Sequence, residues 1–238
     1  MKTKVLFLIV FLSFSLEGQE TLQANYTFSK EYMTLSEPRV FNAKVVKDQN
    51  GTLYTTKVDL SIDPKQAEGY FTKFNDYNFE YKLFVQNGIF YIHDKIGKEY
   101  SFKEKIPKIQ YQFSNETKEV NGKIFNIATT TFRGRTYVLW YEKGDISLPL
   151  WKFVGIPGIV YEAYSTDGNA KWVLESLEKT DDIVVSPFGE ETEFLPYTLY
   201  PEKAYGLSEE LKKMLAQNPN NTMTEQKRTN LEIAFEWE

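Results

Sequence analysis

Residues 151–164 read WKFVGIPGIVYEAY, and the rest of the chain is best interpreted outward from this stretch. At its centre, Pro157 fixes φ at about −65°, which suits the second position of a β-turn. Gly158 tolerates the positive φ that the third position of a type II turn requires. Large apolar side chains flank this turn on both sides, whereas surface turns usually have polar neighbours. The pattern predicts a buried or half-buried corner that holds neighbouring strands together.

The first 18 residues have the order of a secretory signal peptide. Two lysines precede an apolar run from Val5 to Phe14, and a polar run follows it. The apolar run is too short to span a bilayer, so we predict cleavage after Gly18 and one β-rich domain over residues 19–238. No later apolar run is long enough to cross a membrane, and a chain without cysteine is not a lipoprotein. We therefore expect an exported protein, either periplasmic or extracellular.

The composition excludes several kinds of chemistry. The absence of cysteine rules out disulfides, thiolate metal sites and cysteine nucleophiles. The formal net charge of −5 argues against nucleic acid as a partner. The chain has no Walker loop, no dinucleotide-binding glycine motif and no metal-ligand spacing. Its single histidine, His93, leaves little room for a catalytic triad or a His-rich metal site. We expect no cofactor and no metal.

Apolar and polar residues alternate over many short segments, which is typical of half-buried strands. Asn-Gly pairs separate several of these segments, and Asn-Gly is the strongest short-range hairpin signal. The pattern predicts an antiparallel meander. The predicted strands cover residues 22–28, 40–47, 52–60, 79–86, 89–93, 100–102, 109–113, 124–132, 135–142, 159–164 and 171–177, with a polar loop between residues 114 and 122.

The C-terminal part of the chain predicts one helix and one strand. Ser208 is a favourable helix N-cap, and apolar residues follow it at helical spacing until Asn218-Pro219 ends the pattern. After a polar segment, residues 231–237 alternate regularly. They predict a last strand docked in the sheet, with Glu232 on its polar face.

Arginines and aromatic residues just before the corner are candidates for binding. Two arginines flank Gly134 at a strand junction, where they would grip a carboxylate or phosphate. The alternative is a glycine turn whose arginines cover aromatic rings or pair with strand carboxylates. The aromatic residues suit a stacking surface or a sheet core. The candidate binding residues are Arg133, Arg135, Tyr137, Trp140, Tyr141 and Trp151.

Three carboxylates near these aromatic residues provide an enzymatic alternative. A hydrolase of the glycosidase type needs two carboxyl groups roughly 5–10 Å apart in an open cleft. Glu142, Asp145 and Glu162 are the residues available for such a pair. The sequence does not give their separation, so a binding surface and a hydrolytic site both stay open.

The region from Gly122 to Tyr161 resembles the GLPGLI family, a group of exported proteins found mainly in Bacteroidota. Its name describes the motif that stands here as GIPGIV, formed by Gly155, Ile156, Pro157, Gly158, Ile159 and Val160. Arg133-Gly134-Arg135, Tyr137 and Trp140 match the block that leads to the motif, and Asp145-Ile146, Pro149 and Lys152-Phe153 match the approach to it.

Two positions depart from the family pattern. Phe125 stands where many members have cysteine, and Ser147 stands where many have proline. The resemblance implies export and a β-rich fold. It implies no assigned reaction, substrate or cofactor.

These observations predict a mainly β domain, a curved antiparallel sheet or incomplete barrel with one C-terminal α-helix. Because aromatic residues make up 16% of the chain, they exceed what a small sheet core needs. The leading hypothesis is a non-enzymatic envelope protein whose concave, aromatic-lined face binds another envelope protein or an apolar or aromatic-stacking ligand. The alternatives are the hydrolase described above and a structural protein–protein interaction module.

Overall fold

The structure is a computed structural model that describes residues 21–32, 37–59, 79–207, 209–217 and 227–238. The predicted signal peptide, residues 1–18, lies outside the described residues. Within them, no helix combines the length and the apolar character needed to cross a membrane.

A single 12-stranded sheet forms the body of the protein, and strands contain 54% of the described residues. The sheet is curved and does not close into a barrel, which confirms the predicted fold class. The strands are β1 (Thr21–Lys30), β2 (Arg39–Lys47), β3 (Thr52–Val58), β4 (Glu80–Gln86), β5 (Ile89–Ile96), β6 (Lys98–Lys105), β7 (Gln112–Val120), β8 (Lys123–Phe132), β9 (Arg135–Lys143), β10 (Gly158–Ser165), β11 (Ala170–Thr180) and β12 (Leu195–Pro196). Two short helices follow, α1 (Tyr200–Tyr205) and α2 (Glu209–Gln217), and α2 is the helix predicted after Ser208.

The strand order is β12-β6-β5-β4-β3-β2-β1-β11-β10-β9-β8-β7. All neighbouring strands are antiparallel except β12 and β6. Two meanders, β1–β6 and β7–β11, therefore meet where β1 pairs with β11. The first strand of the sheet lies near its centre, between one neighbour from each half of the chain.

Two-residue turns with positive φ connect several strands. Asn87-Gly88 and Asn121-Gly122 have φ values of 51° and 74° and of 53° and 76°, which is the type I′ pattern expected for Asn-Gly. Arg133-Gly134, between β8 and β9, has the same pattern, with φ values of 45° and 84°. An arginine in this conformation is unusual, because side chains other than asparagine and aspartate seldom adopt positive φ.

Two strand predictions were wrong. The predicted strand at residues 109–113 and the polar loop after it are replaced by β7, which runs through the polar stretch as an almost fully exposed edge strand. Residues 231–237 form no strand. Instead they follow an irregular path on which Glu232 is buried rather than exposed. The physical reason is a set of charged partners for Glu232, described below.

The corner around Pro157 packs as predicted but with a different turn. Trp151, Phe153 and Ile156 are buried in the main core. The Gly158 amide donates to the Ile156 carbonyl at 3.0 Å, so Pro157 lies at the centre of a three-residue turn, and the predicted type II turn was wrong. Gly158 begins β10 with φ 152° and pairs with Lys143 of β9.

Candidate binding site

A cavity of about 340 Å³ remains on the inner face of the sheet, over β1 to β5. Trp151, Tyr197 and the segment Asn230–Glu232 enclose it from the other side. The lining residues are Phe28, Lys30, Tyr32, Arg39, Phe41, Tyr54, Thr56, Val58, Phe79, Tyr81, Asp94, Lys95, Ile96, Trp151, Tyr197, Tyr200, Asn230, Leu231 and Glu232. Because the corner fills the concave face on the β9–β10 side, this space is left on the β1–β5 side.

Stacked aromatic rings form one wall of the cavity. Phe41 stacks on Phe28 at 5.3 Å between ring centroids, and Phe28 stacks on Trp172 at 4.5 Å. Trp172 in turn stacks on Trp151 at 5.9 Å, and its Nε1 donates to the Tyr54 hydroxyl at 2.9 Å. The wall is therefore fixed in position by ring contacts and a buried hydrogen bond, and Phe28, Phe41 and Trp151 present apolar surface to the cavity.

A buried charge cluster lies at the side of the cavity that residues 230–238, the C-terminal segment, cover. Lys152 Nζ lies 2.9 Å from Glu232 Oε2 and 3.1 Å from Glu104 Oε1. The Arg133 guanidinium contacts the same two carboxylates, each at 2.6 Å, and the Tyr197 hydroxyl donates to Glu232. Two buried cations thus balance two buried carboxylates, which is the condition under which charges are tolerated in a core.

Hydrogen bonds to the backbone hold the C-terminal segment over this cluster. The Ile233 and Ala234 amides both donate to the Arg133 carbonyl, at 2.9 and 3.1 Å. The Tyr137 hydroxyl donates to the Leu231 carbonyl, and the Tyr205 hydroxyl donates to the Glu232 carbonyl. The segment is docked on the β8–β9 turn by these bonds rather than by strand pairing.

The two carboxyl groups that line the cavity have pKa values shifted in opposite directions. Burial favours the neutral form of Glu232, but Lys152, Arg133 and Tyr197 outweigh it and lower its pKa. Burial raises the pKa of Asp94, only partly offset by the Lys95 amide and by the charges of Lys30 and Lys152. Glu232 is therefore the ionised partner of the buried cluster, while Asp94 is the more readily protonated group.

The predicted binding residues are distributed over four places. Of the six, only Trp151 lines the cavity. Tyr137 and Tyr141 are buried in the main core, and Trp140 lies on the outer face of β9, where Lys118 Nζ is 4.1 Å from its ring centroid. Arg133 and Arg135 are buried, at 6% and 5% exposure.

The arginines of the β8–β9 hairpin contact carboxylates of the protein itself. Besides Glu104 and Glu232, Arg133 approaches Glu236, and its guanidinium lies 4.9 Å from the ring centroid of Tyr197. Arg135 donates to the Asn230 carbonyl and pairs with Asp167. This arrangement corresponds to the alternative in which the two arginines pair with carboxylates of the protein or cover aromatic rings.

The three carboxylates proposed for hydrolysis do not line the cavity. Glu142 accepts bonds from Lys123 and from the Tyr161 hydroxyl, and Glu162 pairs with Lys118 and Lys171. Hydrogen bonds from Lys123 and Tyr161 lower the pKa of Glu142. For Glu162, bonds and charges from Lys171 and Lys118 outweigh the opposing effect of burial and also lower the pKa. Neither group has the raised pKa of a general acid, and Asp145 is exposed on the loop after β9.

Most of the cavity residues were not identified from the sequence. Tyr54 and Tyr81 belong to strands and Tyr200 belongs to a helix. The sequence pattern of each element indicates at most that a side chain is buried, and it does not show that the three line one cavity. The alternation of its own segment places Glu232 in solvent, whereas its partners Arg133 and Lys152 lie 99 and 80 positions earlier in the chain. Within the described part of the chain, no three histidine, aspartate or glutamate side chains lie together in a way that would hold a metal.

No family model and no curated protein matches the chain. Among solved structures, PNGF-II in its P21 crystal form matches 78% of this chain at 13% sequence identity, with a TM-score of 0.51. PNGF-II in its C2 form matches the same share at 13% identity and a TM-score of 0.49. An outer membrane lipoprotein-sorting protein domain from Vibrio parahaemolyticus matches 71% of this chain, and 88% of its own, at 10% identity and a TM-score of 0.33.

The match with PNGF-II covers 33% of the PNGF-II chain. At this identity the similarity shows a shared fold alone. One part of PNGF-II and most of this chain have the same arrangement of strands.

Proposed function

We propose that this chain is an exported, non-enzymatic binding protein that takes a small apolar or aromatic ligand into the cavity on the inner face of its sheet. The observation that carries the proposal is a cavity on the inner face of the sheet with stacked aromatic rings along one wall. A volume of about 340 Å³ falls at the lower end of the range of small-molecule sites, about 300–1,000 Å³. Such sites combine apolar and aromatic side chains with polar groups that orient the ligand, and both kinds of side chain line this cavity.

The chemistry of the polar groups supports binding more than catalysis. Glu232 accepts bonds from Lys152, Arg133 and Tyr197, so its oxygens are occupied by the protein. The carboxylates on the outer face are paired with lysines. Export and membership of the GLPGLI family are parts of the same proposal, and they rest on the N-terminal pattern and on the resemblance around the corner.

A neutral fluorescent probe, N-phenyl-1-naphthylamine, tests the proposal. We expect saturable binding with one site per chain, accompanied by a change in tryptophan fluorescence because Trp151 lines the cavity. Thr56 also lines the cavity, whereas its neighbour Thr55 points to the other face of β3. Thr56→Phe should place a ring in the cavity and weaken binding by about tenfold or more, while Thr55→Phe should leave binding unchanged.

Two outcomes would overturn the proposal. One is the absence of saturable binding by the wild-type protein. The other is equal binding by Thr56→Phe and Thr55→Phe, which would place the probe elsewhere. Thermal melts of both variants show whether each is folded before binding is compared.

A further inference from the structure

Inner-face residues of β1 and β2 form a ladder that changes from apolar to cationic. The cross-strand pairs are Ala24 with Val45, Tyr26 with Ala43, Phe28 with Phe41, and Lys30 with Arg39. Every second residue of a strand points to the same face, so all four pairs face the cavity side of the sheet. The last apolar pair and the cationic pair both line the cavity.

Two cations opposite each other on one face of a sheet repel, since the Cβ atoms of such a pair are about 4.5–5.5 Å apart. Here both lie against the same ring: Lys30 Nζ is 4.7 Å and the Arg39 guanidinium carbon 5.6 Å from the ring centroid of Tyr32. Lys30 Nζ also donates to Asn230 Oδ1, a neutral acceptor, at 3.3 Å. The tyrosine ring and the neutral acceptor hold the lysine in position without cancelling its charge.

The other charged residues of the described lining are Asp94, Glu232 and Lys95. Lys95 has an interaction of its own and is not counted toward the cationic end. Glu232 is already paired with Lys152 and Arg133 in the buried cluster. Asp94 accepts a bond from the Lys95 amide at 2.8 Å, and burial disfavours its charged form. The end of the cavity at Lys30 and Arg39 is cationic although the chain has a net charge of −5, so this charge is a local feature and does not follow from the composition.

From this arrangement we infer that the cavity binds an amphiphilic anion, with an apolar or aromatic body against Phe28, Phe41 and Trp151 and a negative head group against Lys30 and Arg39. This inference rests on the proposed binding function and adds the chemical class of the ligand. A carboxylate or a phosphate has the charge and the acceptor oxygens that a lysine and an arginine bind. The aromatic wall binds the body, and the cationic pair orients it.

Two probes with the same scaffold separate the head group from the body. 8-Anilino-1-naphthalenesulfonate differs from N-phenyl-1-naphthylamine by one sulfonate group. We expect the sulfonate to bind about tenfold more tightly than the neutral probe, because its charge meets the cationic pair. Lys30→Met should abolish most of this difference, so that the ratio of the two probe affinities falls toward one.

Lys57→Met is the matched control. Lys57 is an exposed lysine of the neighbouring β3, one residue beyond the cavity-lining Thr56 and on the opposite face. Removal of its charge lowers the net charge of the chain by the same amount, so it should leave the ratio of the two probe affinities unchanged. Displacement of the neutral probe by decanoate, decyl phosphate and decanol identifies the head group. Both anions should compete better than the alcohol. The anion that competes more strongly indicates whether the head group is a carboxylate or a phosphate.

The results distinguish the two proposals. If the neutral probe binds in the cavity but the sulfonate, decanoate and decyl phosphate show no advantage, the inference about the anion is wrong and the binding function stands. An equal loss of preference in Lys30→Met and Lys57→Met would also overturn it, because the effect would then be one of net charge. If neither probe binds, the binding function itself fails.

Discussion

At the scale of single residues, Gly158 shows why the corner of the sheet needs a glycine. A Cβ atom at this position would lie 2.0 Å from the Glu142 carbonyl oxygen and 3.1 Å from the Lys143 Cα. Both are backbone atoms of β9, so they cannot move aside without a shift of the strand. The glycine is required by the close approach of two backbones as well as by its φ of 152°.

We expect Gly158→Ala to lower the free energy of unfolding by about 1–3 kcal/mol or more, because the new methyl group meets backbone that is already paired. Thermal or urea unfolding measures the change. Gly144→Ala is the control, since a Cβ there meets nothing within 4 Å and its φ is not positive. An unchanged midpoint for Gly158→Ala would contradict the close packing of β10 on β9.

At the scale of elements, the β8–β9 turn and the C-terminal segment form one unit. The turn presents its Arg133 carbonyl to two amides of the segment, and Gly134 lies directly beneath the segment. A Cβ at Gly134 would be 2.7 Å from Ile233 Cγ1 and 3.0 Å from the Ala234 amide nitrogen. The segment therefore docks only on a turn that has no side chain at this position.

Gly134→Ala should release the C-terminal segment as well as strain the turn. Gly122→Ala is a closely matched control, since Gly122 occupies the same position of a type I′ turn, with φ 76°, but a Cβ there meets nothing within 4 Å. Both variants strain the backbone by on the order of 1 kcal/mol. Only Gly134→Ala should show faster amide hydrogen exchange at Ile233 and Ala234 and a larger loss of stability. Equal behaviour of the two variants would mean that the segment does not depend on the turn.

The same elements show what the sequence could and could not predict. The Asn-Gly turns and the alternation in β1 to β5 are local signals, and they predicted the meander and most strand positions. The polar β7 could not be predicted from hydrophobicity, because an exposed edge strand buries neither face. The Gly158 turn was assigned from its Pro-Gly pair, but the contact with β9 that governs it is not a local property.

The candidate site was less predictable than the fold for a similar reason. Alternation at residues 231–237 correctly marked Phe235 as buried but assigned Glu232 to solvent. Its burial depends on Arg133 and Lys152, which come from two other places in the chain. Periodicity within one segment carries no information about such partners. For the same reason, five of the six predicted binding residues do not line the cavity, and Trp151 alone does.

At the scale of the whole molecule, the buried charge cluster connects parts that are far apart in the sequence. Glu104 comes from β6, Arg133 from the β8–β9 turn, Lys152 from the corner and Glu232 from the C-terminal segment. Each half of the chain thus contributes charges to one site beside the cavity. Removal of one member leaves an uncompensated buried charge, a change that typically costs about 3–5 kcal/mol.

The pH dependence of stability follows from the two cavity carboxyls. The pKa of Glu232 is lowered below 4.5 in the folded protein, so its stabilising effect is complete above pH 4.5 and is lost as the pH falls through the folded pKa. The pKa of Asp94 is raised above 3.8, so its ionised form disfavours folding and the penalty grows as the pH rises above 3.8. The two groups therefore affect stability in opposite senses at neutral pH.

We expect Glu232→Gln to be less stable than the wild type at pH 7, by about 3–5 kcal/mol, because it leaves Lys152 and Arg133 with one buried carboxylate. The difference should shrink below pH 4.5, where the wild type loses the same charge. Asp94→Asn should be more stable than the wild type at pH 7, and its advantage should vanish below pH 3.8. Urea unfolding of the three proteins between pH 3 and pH 7 measures both differences. A Glu232→Gln difference that does not change with pH would show that Glu232 is not ionised in the fold, and the cluster would then not be an ion-pair network.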